Sequence, residues 1–198
     1  LDTKLIISKE AKNLAQSFLK DIWNELFSYG YSEKMYENWE IMFQAYIEAS
    51  KPDFNTMYII SASAGAAKTT SLAHFIKCRV VETKGKFTSL VVVNTIQNGL
   101  DFKNFLNLLL DREDKDQQLP RPSIMFAKDK EIMEDDEGNK IEYTSDVNNL
   151  NCTQAEILII THSRLRKAVI SGHTEHLLTY EANNNLFASN RDFFAVDE

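Results

Sequence analysis

The first fifty residues place apolar side chains three and four positions apart, which is the period of an amphipathic helix. Ser8 precedes one such stretch and Ser32 precedes a second, each at a position suited to an N-cap, and Tyr29-Gly30-Tyr31 separates the two. The predicted buried stripes are Ala11, Leu14, Ala15, Phe18, Ile22 and Leu26 in the first helix, and Met35, Trp39, Met42, Phe43, Tyr46 and Ile47 in the second. We therefore predict a helical segment over 1–54 whose aromatic side chains belong to a core.

Beyond residue 55 the apolar positions gather into short continuous runs with helical stretches between them. The four runs are Met57–Ile60, Ser89–Val93, Ile157–Ile160 and Phe193–Val196. Such runs are typical of parallel strands that are covered on both faces. We predict an α/β domain over 55–198, with a parallel, doubly wound sheet flanked by helices, one of them from about 101 to 110. The stretch 124–145 predicts a small β excursion with an exposed turn at 135–140.

Short polar motifs follow each predicted strand, at 61–71, 94–99, 161–167 and 197–198. In a parallel sheet these positions lie at the carboxyl ends of the strands, where ligands bind. We therefore expect the function to reside at this edge of the sheet.

The motif at 61–71 has the layout of a phosphate-binding loop: an apolar strand, a turn of small residues, Lys-Thr, and then a helix. Backbone N–H groups of such a loop surround phosphate at the positive end of a helix. Lys68 would bind the β and γ phosphates of ATP, and the Thr69 hydroxyl would bind Mg²⁺. The predicted ATP-binding residues are Ala64, Gly65, Ala66, Ala67, Lys68, Thr69 and Thr70.

Two alanines depart from the usual pattern of this loop, which has glycine at the positions of Ala62 and Ala67. Ala67 is the larger departure, because the residue before the lysine benefits from the conformational freedom of glycine. Its methyl group is either tolerated or weakens nucleotide binding. The alternative is a turn of small residues that binds no ligand.

The acidic pair Asp197-Glu198 follows the last apolar run. An aspartate at a strand end beside a phosphate loop can hold Mg²⁺ through water, and the next glutamate can polarise a water for attack on the γ phosphate. We predict Lys68 and Glu198 as catalytic residues, and Thr69 and Asp197 as magnesium ligands.

With these motifs, about residues 55–198 resemble the first RecA-like domain of superfamily 1 and superfamily 2 helicases and translocases. Ala62–Thr69 resembles motif I, the Walker A loop, and Phe194–Glu198 resembles motif II, the Walker B strand. The small residues around Lys68 are similar to those of UvrD/RecB-like superfamily 1 enzymes. The short spacing to Asp197 favours superfamily 2, the DEAD/DEAH-like enzymes, and we prefer that assignment.

The resemblance implies an ATP hydrolase that moves on DNA or RNA, with ATP and Mg²⁺ as cofactors. Thr95 and Gln97 resemble motif Ia, and Thr161 and His162 resemble the later threonine-containing motif. In the family these motifs contact the backbone of the bound strand, and we add Arg164 as a candidate phosphate contact. For each of these residues, helix capping, packing or simple exposure is an open alternative.

The resemblance also implies a second RecA-like domain, which closes the nucleotide cleft and supplies an arginine. We expect it in the same, longer chain, and we expect these 198 residues alone to bind nucleotide weakly and hydrolyse it poorly. Two alternatives stay open. One is a P-loop ATPase of another kind, and the other is a degenerate, non-hydrolysing module that serves binding.

Composition changes this interpretation little. The net charge of −7 argues against a generally polyanion-binding surface but leaves room for a local basic groove. The two cysteines, Cys78 and Cys152, predict reduced thiols and a cytoplasmic setting. The sequence has no apolar stretch long enough to span a bilayer, so we expect no membrane partner.

Overall fold

The computed structural model describes residues 6–27, 30–52, 59–60, 67–114, 116, 118–128, 130–134, 138–182 and 188–197. The chain forms two compact units, Leu1–Arg79 and Val80–Glu198, which we call the first and second units. The boundary falls within the helix that begins at Lys68. The division predicted at residues 54 and 55 lies outside the described residues.

The described part of the first unit is mainly helical, and this confirms the helical segment that was predicted over 1–54. Its helices are α1 (Lys9–Phe18), a π-helical turn (Leu19–Trp23), α2 (Asn24–Leu26), α3 (Glu33–Ala49) and α4 (Lys68–Glu82), the last of which ends in the second unit. Ser8 caps α1 by accepting a hydrogen bond from the Ala11 amide, and Ser32 caps α3 in the same way from Met35. Both predicted N-caps are confirmed.

Aromatic rings form the core of the first unit. Phe18, Trp23, Trp39 and Phe43 are all nearly or fully buried. The ring centroids of Phe18 and Trp39 lie 5.1 Å apart at a steep angle, the edge-to-face geometry that aromatic pairs favour. The prediction that the aromatic side chains of the two stripes belong to a core is confirmed for Phe18, Trp39 and Phe43.

One residue of the predicted stripe in the first helix is misplaced. Leu26 is exposed, and Trp23 is buried instead. The π-helical turn Leu19–Trp23 explains the difference, because each such turn accommodates an extra residue and rotates the following side chains around the helix axis.

The second unit is built on a parallel sheet. Its elements are β1 (Ser89–Val93), α5 (Ile96–Glu113), β2 (Ser123–Met125), β3 (Lys130–Glu134), β4 (Lys140–Thr144), a 3₁₀ turn (Cys152–Gln154), β5 (Ile157–Thr161), α6 (His162–Ser171), α7 (Glu175–Leu178), β6 (Thr179–Tyr180), β7 (Ser189–Asn190) and β8 (Phe193–Asp197). The four parallel strands follow the order β2-β5-β1-β8, and two short antiparallel pairs, β3-β4 and β6-β7, lie outside this sheet.

Helices cover both faces of this sheet. Ala168 of α6 packs with Leu90 and Val92 of β1. Gly99 of α5 lies against Val93, from the alternate set of β1 side chains, which point to the opposite face. The described residues therefore form an α/β fold with a parallel sheet flanked by helices, and the continuous apolar runs are explained by burial on both faces.

Three of the four predicted strands are confirmed. β1 ends at the predicted residue, and β5 and β8 each extend one residue beyond the predicted end. Of the predicted strand Met57–Ile60, the first two residues lie outside the described part, and Ile59 and Ile60 are not assigned to a strand. Helix α5 begins at Ile96, five residues earlier than predicted, because Thr95 caps it and Gly99 is accommodated inside it. The predicted excursion contains the β3-β4 hairpin, whereas β2 joins the main sheet.

Candidate functional site

The predicted phosphate loop ends at the beginning of α4. Lys68 is the first residue of this helix, Thr69 is exposed, and Thr70 is half-buried. The first turn of α4 contains no acidic residue, so its N–H groups form a positive end that is suited to an anion. Three predicted ATP-binding residues, Ala64, Gly65 and Ala66, lie outside the described residues.

Ala67 enters α4 in a left-handed backbone conformation, with a φ of 58°. An L-residue with a side chain pays about 1–2 kcal/mol in this region, whereas glycine enters it without that cost. At Ala67 the chain therefore has alanine where the backbone adopts a conformation that glycine enters without strain. This conformation is a physical reason for the glycine that the usual loop pattern has at this position.

In the second unit, three strands end level with one another. Thr161 of β5 is in register with Val93 of β1, and Val93 is in register with Asp197 of β8. Within this unit, the polar residues predicted at carboxyl ends of strands thus share one edge of the sheet. Asp197 is the last residue of β8, and Glu198 lies outside the described residues.

Lys68 and Thr69 belong to the first unit, and Asp197 belongs to the second. The pairing of these residues around one magnesium ion remains a prediction. Among the described residues, no three His, Cys, Asp or Glu side chains form a cluster that could hold a metal ion. The predicted magnesium site has a different composition, one hydroxyl and one carboxylate completed by phosphate oxygens, which suits the preference of Mg²⁺ for hard oxygen ligands.

The register of Asp197 is fixed at the opposite end of β8. The carboxylate of Asp192 accepts hydrogen bonds from the Thr88 amide (2.7 Å) and the Thr88 hydroxyl (2.9 Å). In return, the Asp192 amide donates to the Thr88 hydroxyl at 3.0 Å, and the Phe193 amide donates to the Thr88 carbonyl. These bonds align the start of β8 with the start of β1, and so set which residue of β8 reaches the carboxyl edge.

Arg191, beside this contact, is a structural residue that sequence reasoning missed. Its guanidinium donates hydrogen bonds to backbone carbonyls of Cys152 (2.9 Å), Ala155 (2.6 Å) and Leu177 (2.9 Å), among others. Burial lowers the pKa of Arg191 to about 10, although neighbouring Cys152, Glu156 and Tyr180 act in the opposite direction. The sequence around it, a polar pair before an apolar run, carries no signal for a set of contacts this distant along the chain.

Thr95 and Gln97 are exposed at the start of α5. The Thr95 hydroxyl accepts a hydrogen bond from the Asn98 amide at 3.0 Å, which makes Thr95 the N-cap of this helix. The Gln97 side chain donates to the Asp101 carboxylate at 2.8 Å. The capping alternative is thus confirmed for Thr95, and a contact from either residue to nucleic acid remains a prediction.

The candidates at the start of α6 are more enclosed. Thr161 is buried and caps α6 by accepting a hydrogen bond from the Arg164 amide at 3.3 Å. The side chain of Arg164 is also buried and donates to the Asn149 side chain. The Thr161 hydroxyl and the Arg164 guanidinium therefore both form hydrogen bonds within the second unit. Their contacts with nucleic acid remain predictions, and such contacts would require these hydrogen bonds to rearrange.

His162 borders an open groove of about 610 Å³ between α6 and β8. The groove is lined by His162, Leu165, Arg166, Val169, Ile170 and Val196. Nε2 of His162 is buried and makes no hydrogen bond with the described residues. The wall of the groove combines apolar side chains with one arginine, Arg166. A contact between His162 and a polyanion would therefore lie at the margin of an apolar surface.

No helix among the described residues combines the length and the apolar character that crossing a bilayer requires. Comparison with protein-family models, with curated proteins and with solved structures finds no match to this chain.

Proposed function

We propose that this protein is the ATP-binding motor domain of a nucleic-acid helicase or translocase, with a RecA-like P-loop fold, which couples ATP hydrolysis to movement on DNA or RNA. The observation that carries the proposal is the transition at Ala67 and Lys68. There the backbone turns through a left-handed residue into a helix whose first residues are Lys-Thr and whose first turn has no acidic side chain. This local geometry suits the end of a phosphate-binding loop.

Each proposed residue has a distinct role. The Lys68 ammonium binds the β and γ phosphates, and the Thr69 hydroxyl and Asp197 carboxylate are suited to hold Mg²⁺. When bound, the metal ion neutralises charge on the phosphates. Glu198 orients the attacking water and accepts its proton.

Two features at the carboxyl edge of the sheet in the second unit support the proposed contact with nucleic acid. Helices α5 and α6 both begin at this edge, and neither has an acidic residue in its first turn. Their N-terminal N–H groups carry partial positive charge, which favours the phosphates of a bound strand. Thr95 and Gln97, both exposed, are the side chains best placed for such a contact.

A second candidate function is a degenerate module that does not hydrolyse ATP and whose fold serves to bind a protein or a nucleic-acid strand. The conformation of Ala67 favours it, because a side chain in the left-handed region adds strain at the point where the loop must close on phosphate. The two candidates differ in whether the protein binds ATP with Mg²⁺ and turns it over.

The first test is a titration of the protein with a fluorescent ATP analogue in the presence of Mg²⁺. We expect binding that Lys68→Ala weakens at least about tenfold, since the variant loses a charge-assisted contact to phosphate. Lys86→Ala, which removes a lysine from an exposed turn, is the charge-matched control and should bind as the unsubstituted protein does. Equal binding by both variants, or no binding at all, would reject the ATP site.

The second test separates a motor from other ATPases. ATP turnover is measured with and without single-stranded DNA or RNA. Stimulation by either nucleic acid is expected of a helicase or translocase. Turnover that neither nucleic acid changes would leave a P-loop ATPase of another kind, and the absence of analogue binding in the first test would leave the degenerate module.

A further inference from the structure

The first turn of α4 is held from inside the first unit by Ser71, a fully buried residue. Its hydroxyl donates a hydrogen bond to the Lys68 carbonyl at 2.8 Å. Its amide donates to the Ala67 carbonyl, also at 2.8 Å. Ser71 therefore contacts the backbone of both residues at which the proposed phosphate loop becomes a helix.

Tyr46 of α3 reaches this same turn. Its hydroxyl oxygen lies 3.5 Å from the Ser71 hydroxyl oxygen, and both residues are buried. Because the Ser71 hydrogen is directed at the Lys68 carbonyl, the Ser71 oxygen is available to accept from the Tyr46 hydroxyl across this long contact. The centroid of the Tyr46 ring lies 5.4 Å from the ring centroid of Phe75, which is one turn further along α4 than Ser71.

The following turn of α4 is fixed by α1. Nε2 of His74 lies 2.9 Å from the Ser17 hydroxyl oxygen. The Ser17 hydroxyl also donates to the Leu14 carbonyl at 3.0 Å, and Sγ of Cys78 lies 3.5 Å from the same His74 nitrogen. Helices α3 and α1 thus contact two successive turns of α4. Of these two contacts, the one between Tyr46 and Ser71 lies nearer to Lys68.

We propose that Tyr46 is a positioning residue for the nucleotide loop. Its hydroxyl orients the Ser71 side chain, and Ser71 fixes the backbone at Ala67 and Lys68. Phosphate binding depends on N–H groups that are already aligned before the ligand arrives, and a less firmly held first turn therefore binds phosphate less tightly. This inference rests on the proposed function for the identity of the ligand, and it assigns a role to the N-terminal helical segment.

The test compares Tyr46→Phe with Tyr36→Phe, a matched removal of one hydroxyl from the same helix. The fluorescent ATP analogue and Mg²⁺ are titrated against both variants. Tyr46→Phe retains the ring against Phe75, and we expect it to bind about three- to tenfold more weakly, as the loss of one hydrogen bond predicts. Tyr36→Phe should bind as the unsubstituted protein does.

A double variant distinguishes positioning from a general loss of stability. If Tyr46 acts through Ser71, then Ser71→Ala weakens binding, and adding Tyr46→Phe to it causes little further loss. Independent, multiplying losses would overturn the proposed route. Equal binding by Tyr46→Phe and the unsubstituted protein would overturn the positioning role itself.

A nucleotide-free measurement keeps this inference separate from the proposed function. If the unsubstituted protein binds no analogue, the ATP site fails, but hydrogen exchange of the Ser71 amide still tests the contact. Faster exchange in Tyr46→Phe than in Tyr36→Phe supports the role of Tyr46 in holding the turn. Equal exchange in the two variants overturns it.

Discussion

Thr88 and Asp192, 104 residues apart in the sequence, are joined by hydrogen bonds in both directions. The contact ties the start of β8 to the start of β1, and the parallel register then places Asp197 level with Val93. A pair of polar residues at one end of the sheet thus determines the position of the acidic residue that we assign to the other end.

Removing this contact should destabilise the second unit. Asp192→Ala leaves the buried amide and hydroxyl of Thr88 without their acceptor, and we expect the free energy of unfolding to fall by about 1–3 kcal/mol. Urea unfolding followed by circular dichroism measures the change. Glu142→Ala, which breaks the exposed ion pair with Lys130 in the β3-β4 hairpin, is the control and should change stability by less than about 1 kcal/mol. Similar losses in the two variants would contradict the role of Asp192.

Arg191 should be intolerant even of lysine. A lysine keeps the positive charge but has a single nitrogen, so it leaves several of the carbonyls that the guanidinium now satisfies without a donor. We expect Arg191→Lys to lower the free energy of unfolding by about 2 kcal/mol or more. Arg112→Lys on the exposed surface of α5 is the matched control, and urea unfolding of both variants provides the comparison. A stability equal to that of the control would show that the network contributes little.

The conformation of Ala67 predicts opposite effects of two substitutions. Ala67→Gly relieves the strain of a left-handed L-residue, and we expect the fluorescent ATP analogue to bind several-fold more tightly. Ala67→Val places a β-branched side chain at the same φ, where the strain is larger, and should bind more weakly than the unsubstituted protein. An unchanged affinity in both variants would mean that this backbone conformation has no influence on the site.

His74 predicts a dependence of stability on pH. Burial, with a smaller effect from Lys77, lowers the pKa of His74 to about 3, well below the ordinary value of 6.5. Between these two values the unfolded chain binds more protons than the folded one, so stability is lost as the pH falls below about 6.5. From pH 7 to pH 5 the loss due to this residue should be about 2 kcal/mol.

Tryptophan fluorescence measures this effect in the first unit alone, because both tryptophans of the sequence, Trp23 and Trp39, lie there. His74→Gln removes the titrating group but keeps a side chain that can form a hydrogen bond with Ser17. The unsubstituted protein should lose more stability than this variant on acidification. Parallel losses in the two proteins would show that His74 does not account for the pH dependence.

The parts of the fold that sequence reasoning predicted are those with local signals. Ser8 and Ser32 are capping residues that precede apolar periodicity, and the runs at β1 and β5 are apolar at successive positions because both faces of the sheet are covered. Each of these signals lies within about ten residues of the element that it predicts, and each prediction was confirmed.

The parts that were missed depend on contacts between distant segments or on small local changes. The exposure of Leu26 follows from a single π-helical turn, which no pattern of apolar residues announces. Asp192 owes its importance to Thr88, 104 residues away, and two of the carbonyls that Arg191 binds, those of Cys152 and Ala155, lie 39 and 36 residues away. Burial of Arg164 reflects its contact with Asn149, a residue of a loop whose path the sequence does not specify.

Gly99 allows the first turns of α5 to approach the strands of the sheet closely. A Cβ atom at this position would lie 2.7 Å from Cδ1 of Ile124 and 3.2 Å from Cγ2 of Val93, both of them buried side chains. Even the smallest substitution would therefore require the Ile124 methyl group to move and the Val93 methyl group to give way by a few tenths of an ångström. The close approach of the helix that carries Thr95 and Gln97 to the strands beneath it therefore depends on a position that has no side chain.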